Sequence, residues 1–178
     1  MNPFAALGLD KGLEGGGGGG ESGVRKDFRA SAYFNPTMIT DDKGHVHASF
    51  KLPDSLTTYR LMAVAAAEDD RFGYAQEHVT TSRPLMGRPA FPRFLRAGDT
   101  LEAGVVVTSK GLPKSKVDVE IKAEGLTIKD GPVKSIDLDA NGSAEVRFTI
   151  DAPRAGTAKV SFKIKGAGNE DAVEITRE

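Results

Sequence analysis

The chain has 178 residues, enough for one ordinary domain or two small ones. Its 24 Lys and Arg balance 25 Asp and Glu, so a net charge of -1 supplies no field to gather nucleic acid, acidic substrate or an anionic membrane. Cysteine is absent, which excludes disulfides, thiolate metal sites and cysteine nucleophiles within these residues and leaves the redox compartment open.

The first 23 residues carry nine of the 21 glycines, six of them in the unbroken run Gly15 to Gly20. Such a run packs no side chains and loses the most backbone entropy on ordering, so residues 1–24 are predicted to be a mobile linker or presented loop. The apolar patch before it (Phe4, Leu7, Leu9, Leu13) is too short for periodicity to decide, and is treated as disordered. No basic region followed by an apolar stretch marks a signal peptide. The longest apolar run, residues 61–67, is far short of the about 20 residues that cross a bilayer.

From Arg25 onward the apolar period is two. Val46, Ala48, Phe50 and Leu52 alternate with His45, His47, Ser49 and Lys51, which predicts a half-buried strand. Residues 55–68 are Ala-rich behind a possible Asp54 or Ser55 cap, which allows a helix by propensity. Tyr59, Leu61, Ala63 and Ala65 also fit one strand face, and a strand is the favoured reading. Clearer strands follow at residues 116–123, 144–150 and 158–164, each with one apolar and one polar face. Asn141-Gly142 between two such runs is a strong hairpin signal, because both residues tolerate the positive φ of a type I′ turn.

Alternating strands at this spacing predict an all-β fold of antiparallel sheets packed face to face, of the fibronectin III or immunoglobulin-like sandwich type. A boundary is expected near Arg83-Pro84. Residues 25–83 give about four strands, too few for a comfortable core, and read as a partial sandwich whose remaining strands lie upstream. Residues 84–178 give about seven, a complete sandwich.

Patterns that suggest chemistry have plainer readings. His45 and His47 share a strand face near Asp41 and Asp42, but only His78 remains to complete a metal set, so they read as exposed strand histidines. The stretch from Asp137 to Gly142 resembles the first half of a calcium loop, yet Phe148 stands where the bidentate Glu is required. Six glycines satisfy G-x-G-x-x-G trivially, without the strand and helix of a dinucleotide site. Arg83, Arg88, Arg93 and Arg96, interleaved with Phe91 and Phe94, read as a solvated strand rather than a nucleic-acid patch. No enzyme, cofactor or metal site is predicted.

Two stretches say more. Val24-Arg25-Lys26-Asp27-Phe28, followed by Leu52-Pro53-Asp54-Ser55-Leu56-Thr57-Thr58-Tyr59-Arg60, resembles V-R-x-x-F and x-P-D-x-[IL]-T-x-W-[RK] of the alpha-2-macroglobulin family. Phe91-Pro92-Arg93-Phe94-Leu95-Arg96-Ala97-Gly98-Asp99 is similar to its L-P-x-x-[VL]-x-x-G-[DE] stretch. The resemblance covers about residues 24–108, with Tyr59 in place of the usual Trp.

The resemblance implies macroglobulin-like sandwiches in a large protease trap, with residues 1–24 as the end of its bait region. Polyglycine offers nothing to a protease specificity pocket, so Lys11, Leu13 and Arg25 are the expected residues before scissile bonds. The family's thioester needs a Cys, so covalent capture lies outside this chain and any thioester lies C-terminal to Glu178. Absence of disulfides leans toward a bacterial member, whose relatives are typically periplasmic lipoproteins anchored by an upstream segment. The expected partners are proteases and neighbouring macroglobulin-like domains, with no nucleic acid and no direct membrane contact. The rival expectation is an immunoglobulin-like spacer or adhesion module of a surface protein. A carbohydrate-binding module is weaker still, because no Trp and three Tyr leave little stacking surface.

Overall fold

The computed structural model describes residues 23–67 and 69–178. Among them, residues 27–81 form one compact unit and residues 23–26 with 82–178 form another. Eleven strands and no helix occur among the described residues. The first strand, β1 (Val24–Arg25), belongs to the second unit.

The first unit is built on one antiparallel pair, β2 (Thr58–Ala66) and β3 (Phe72–Thr80), in register from Thr58 opposite Thr80 to Ala66 opposite Phe72. The Ala-rich segment is therefore a strand. Its β-branched and aromatic residues find cross-strand partners in β3, which outweighs the helical preference of four alanines. Residues 46–52 take up no ladder pairing. Alternation decides which side chains share a face, but a strand also needs a neighbour for its backbone groups, and none among the described residues supplies one. Met62, Val64, Phe72 and Tyr74 are exposed, and every member of the buried hydrophobic cluster lies in the second unit.

The second unit is a two-layer sandwich. It contains β4 (Leu85–Ala90), β5 (Thr100–Ser109), β6 (Ser115–Glu124), β7 (Thr127–Ile128), β8 (Val133–Leu138), β9 (Ser143–Asp151), β10 (Ala158–Gly166) and β11 (Asn169–Arg177). One sheet has the order β1-β11-β10-β6-β8 and the other β4-β5-β9-β7. Every pairing is antiparallel except β1 with β11, where Val24 lies beside Ala172 and Arg25 beside Val173. The alternating residues fill the space between the layers: Val117, Val119 and Ile121 from β6 and Val160, Phe162 and Ile164 from β10 face Val105 and Val107 of β5 and Phe148 and Ile150 of β9, all without solvent exposure. The Phe148 and Phe162 rings meet across the layers at 6.4 Å between centroids.

Asn141-Gly142 does not close a hairpin. The chain there passes from β8 in one sheet to β9 in the other, through a turn in which the Gly142 N–H donates to the Asp139 carbonyl at 2.9 Å. Only Asn141 has positive φ, at 54°. The two-residue hairpin joins β10 to β11, where Ala167 and Gly168 both have positive φ (49° and 71°) between the paired Gly166 and Asn169. An alanine in the left-handed region is strained by its Cβ, costing roughly 1–2 kcal/mol. Ala167→Gly is expected to raise unfolding stability by about 0.5–1 kcal/mol, net of glycine's larger unfolded-state entropy, as read from a urea midpoint.

Candidate functional site

Along β11 the residues that face between the layers are Asp171, Val173 and Ile175. The first is a carboxylate in a position patterned for an apolar side chain, and its side chain has no solvent exposure. A buried carboxylate persists only where its acceptor sites are filled. Asp171 Oδ1 accepts from Arg25 Nε at 2.9 Å and from Arg83 Nη1 at 3.0 Å, and Oδ2 accepts from Arg25 Nη2 at 2.6 Å and from the Gly87 N–H at 2.8 Å. Arg25 Nη2 also donates to the Gly87 carbonyl. Four donors thus surround one carboxylate, two of them forming the parallel fork that a guanidinium makes with a carboxylate.

Each participant is delivered by its element. β1 lies on the open edge of β11 and turns Arg25 inward, to 6% exposure. β4 is the outer strand of the opposite layer, and Gly87 turns its N–H and carbonyl toward the carboxylate and guanidinium. A side chain at Gly87 would meet the Ile164 Cδ1 and crowd Val105, so the Ile164 side chain would have to shift to admit one. The clamp joins the β1 and β11 edge of one layer to the β4 edge of the other. Arg83, with a side chain 40% exposed, closes its solvent side.

Other motif residues, in the stretches 27–28 and 52–60, organise the first unit. The Asp27 N–H donates to Asp54 Oδ2 at 3.0 Å and the Asp54 N–H to the Asp27 carbonyl at 2.7 Å, so the V-R-x-x-F and P-D stretches meet in a reciprocal pair. Tyr59 donates its hydroxyl to the Pro53 and Ser55 carbonyls at 3.1 and 3.2 Å, the anchoring that an amphipathic aromatic provides at a strand start.

Of the expected cleavage residues, Lys11 and Leu13 lie outside the described residues, and Arg25 is the clamp arginine. The arginine and phenylalanine series divides: Arg83 turns to Asp171, Phe91 packs against the core, and Phe94 is 70% exposed. His45 Nδ1 lies 3.9 Å from Asp41, and the described residues contain no group of three or more His, Asp or Glu placed to hold a metal. In the calcium-like stretch Asp139 pairs with Lys114 at 2.9 Å, and beyond it Glu145, at what would be the loop's ninth position, pairs with Arg147 at 2.9 Å. Lys134 beside Asp130, helped by the Thr149 N–H, holds the Asp130 carboxyl below its usual range and ties the loop before β8 to β9. The pattern of residues 171–175 marks half of the clamp, an Asp at the inward phase of an alternating strand, but carries nothing that names its partner.

The described residues define a β-sandwich protein of macroglobulin-like architecture. The chain belongs to the alpha-2-macroglobulin family, whose model matches residues 31–121. It is 32% identical over 89% of its length to an alpha-2-macroglobulin homolog of Nostoc, of which the match covers 9%. Among solved structures, trypsin-activated alpha-2-macroglobulin from Escherichia coli aligns with a TM-score of 0.66 at 20% identity, over 78% of this chain and 10% of that one. The Escherichia coli protein activated by porcine elastase aligns with a TM-score of 0.65 at 19% identity, over 98% of this chain and 16% of that one. The chain therefore spans 9–16% of the length of these relatives.

Proposed function

We propose that this chain is a non-catalytic, structural part of a bacterial protease-trapping protein, in which residues 1–24 end a bait segment that proteases cut. In this reading residues 27–81 are part of a macroglobulin-like sandwich completed elsewhere in the parent, and residues 82–178 together with β1 are a complete one, so the expected boundary near Arg83-Pro84 moves to residue 82 and Arg25 passes to the second sandwich. The apolar residues left exposed on β2 and β3 support the first assignment. The parent is placed in the periplasm or at the cell surface, as a membrane-anchored lipoprotein, with proteases and neighbouring macroglobulin-like domains as partners.

The observation that carries the reading is the position of the glycine run, which is followed, after three residues, by a V-R-x-x-F stretch in a chain of this family. A protease threads an unpaired, extended chain, so low local stability is the useful property there, and six glycines favour it. The two Escherichia coli relatives are described as activated by trypsin and by elastase. The same chemistry carried to this chain gives cuts after Lys11 and Leu13. Arg25, the third candidate, is paired in β1 and is expected to be cut last. Limited digestion with trypsin and with elastase, followed by mass spectrometry, is expected to yield first cuts within residues 1–24. First cuts within residues 27–178 overturn the reading.

A further inference from the structure

We propose that Asp171 is a positioning residue that ends the cleavable stretch, by holding Val24–Arg25 as a strand of the second unit and so closing the bonds after Arg25 and Lys26 to trypsin-like proteases. The inference rests on the reading that residues 1–24 meet proteases, and names what limits their attack.

By sequence alone, Arg25-Lys26 is the densest tryptic target in the first 28 residues. A trypsin-like protease recognises arginine through a carboxylate at the floor of its specificity pocket. In this fold that recognition is already satisfied internally. Asp171 takes the Arg25 guanidinium in a two-point fork, away from solvent, and the Gly87 carbonyl takes a further donor. The backbone is occupied as well, because Val24 and Arg25 pair with Ala172 and Val173. A protease therefore meets neither the side chain nor the extended backbone of Arg25 until both the fork and the β1 pairing open. When opening and closing are fast, the cleavage rate scales with the open fraction. Breaking a buried, bidentate pair makes that fraction small. A cut at Lys11 leaves all these contacts in place, so Val24 and Arg25 stay tied to β11 and Arg25 to β4.

The test uses the full chain and a trypsin time course read by intact mass, with the cut after Lys11 as internal reference. In the unsubstituted chain, cuts after Arg25 and Lys26 are expected to run at least about 100-fold slower than the cut after Lys11. Asp171→Asn, which keeps the shape and removes the charge, is expected to raise them by about that factor, and Arg83→Gln by only a few-fold. Hydrogen exchange of the β6 and β10 amides separates local release from global unfolding. Should Asp171→Asn unfold the unit, Arg25→Lys keeps a tryptic site and its charge, loses the fork, and is expected to speed the cut after position 25. Cutting after Arg25 as fast as after Lys11 in the unsubstituted chain overturns the proposal. So does an unchanged rate at position 25 in both Asp171→Asn and Arg25→Lys. Resistance at Lys11 counts against the bait reading instead, and the change at position 25 is then scored in absolute rate.

Discussion

Asp171→Ala is expected to destabilise the second unit by about 3–5 kcal/mol, measured as a fall in urea midpoint at unchanged slope. The cost comes less from the lost attraction than from what stays behind. Arg25 is 6% exposed and has little access to water without leaving β1, while the Gly87 N–H loses its acceptor. Arg83 is the exception, since its partly exposed side chain can turn to solvent. A buried ion pair is near neutral against an apolar pair of similar volume, so Arg25→Met combined with Asp171→Leu is expected to recover most of the loss. The two single substitutions are then strongly non-additive, and a double-mutant cycle measures that coupling. Equal, additive costs would show that the four donors around the carboxylate act independently.

Phe162→Ala is expected to cost about 3–5 kcal/mol by the same measurement. Phe162 is fully buried at the centre of β10, between Ile121 of β6 and Val173 of β11, with Phe148 of the opposite layer against it. Truncation removes apolar burial and leaves a cavity between two sheets that cannot collapse without breaking ladder pairing. Against an ordinary domain stability of roughly 5–15 kcal/mol, this one change is enough to populate the unfolded unit. A loss below about 1 kcal/mol would mean that the layers are not packed on these rings.

The sandwich was legible where alternation is strict and both neighbours of a strand are near. Val117, Val119, Ile121, Val146, Phe148, Ile150, Val160, Phe162 and Ile164 all face inward as their period requires. Residues 46–52 have the same period but no strand partner among the described residues, because pairing is a property of two segments and the pattern belongs to one. Turn chemistry misled in a similar way. Asn141-Gly142 has the residues of a tight hairpin, but β8 pairs with β6 and β9 with β5, so the chain must change layers there. The hairpin falls instead at Ala167-Gly168, where the exact two-residue spacing between strands forces an alanine into a conformation it disfavours. Family likeness was legible in the residues 24–28, 52–60 and 91–99, and the reciprocal Asp27 and Asp54 pair shows why two of those stretches keep company. The clamp escaped because Arg25 and Asp171 are 146 residues apart, and no local pattern signals a partner at that separation.

The Arg25 and Asp171 fork fastens the two ends of the second unit's sequence by a hydrogen-bonded ion pair, with no covalent cross-link, in a chain that has no cysteine. Such a fastening has no reduction potential. Glutathione and thiol reductants leave it untouched, and after a transient opening it closes again without an oxidant or an isomerase, so the junction behind the glycine run re-forms equally well wherever the polypeptide folds.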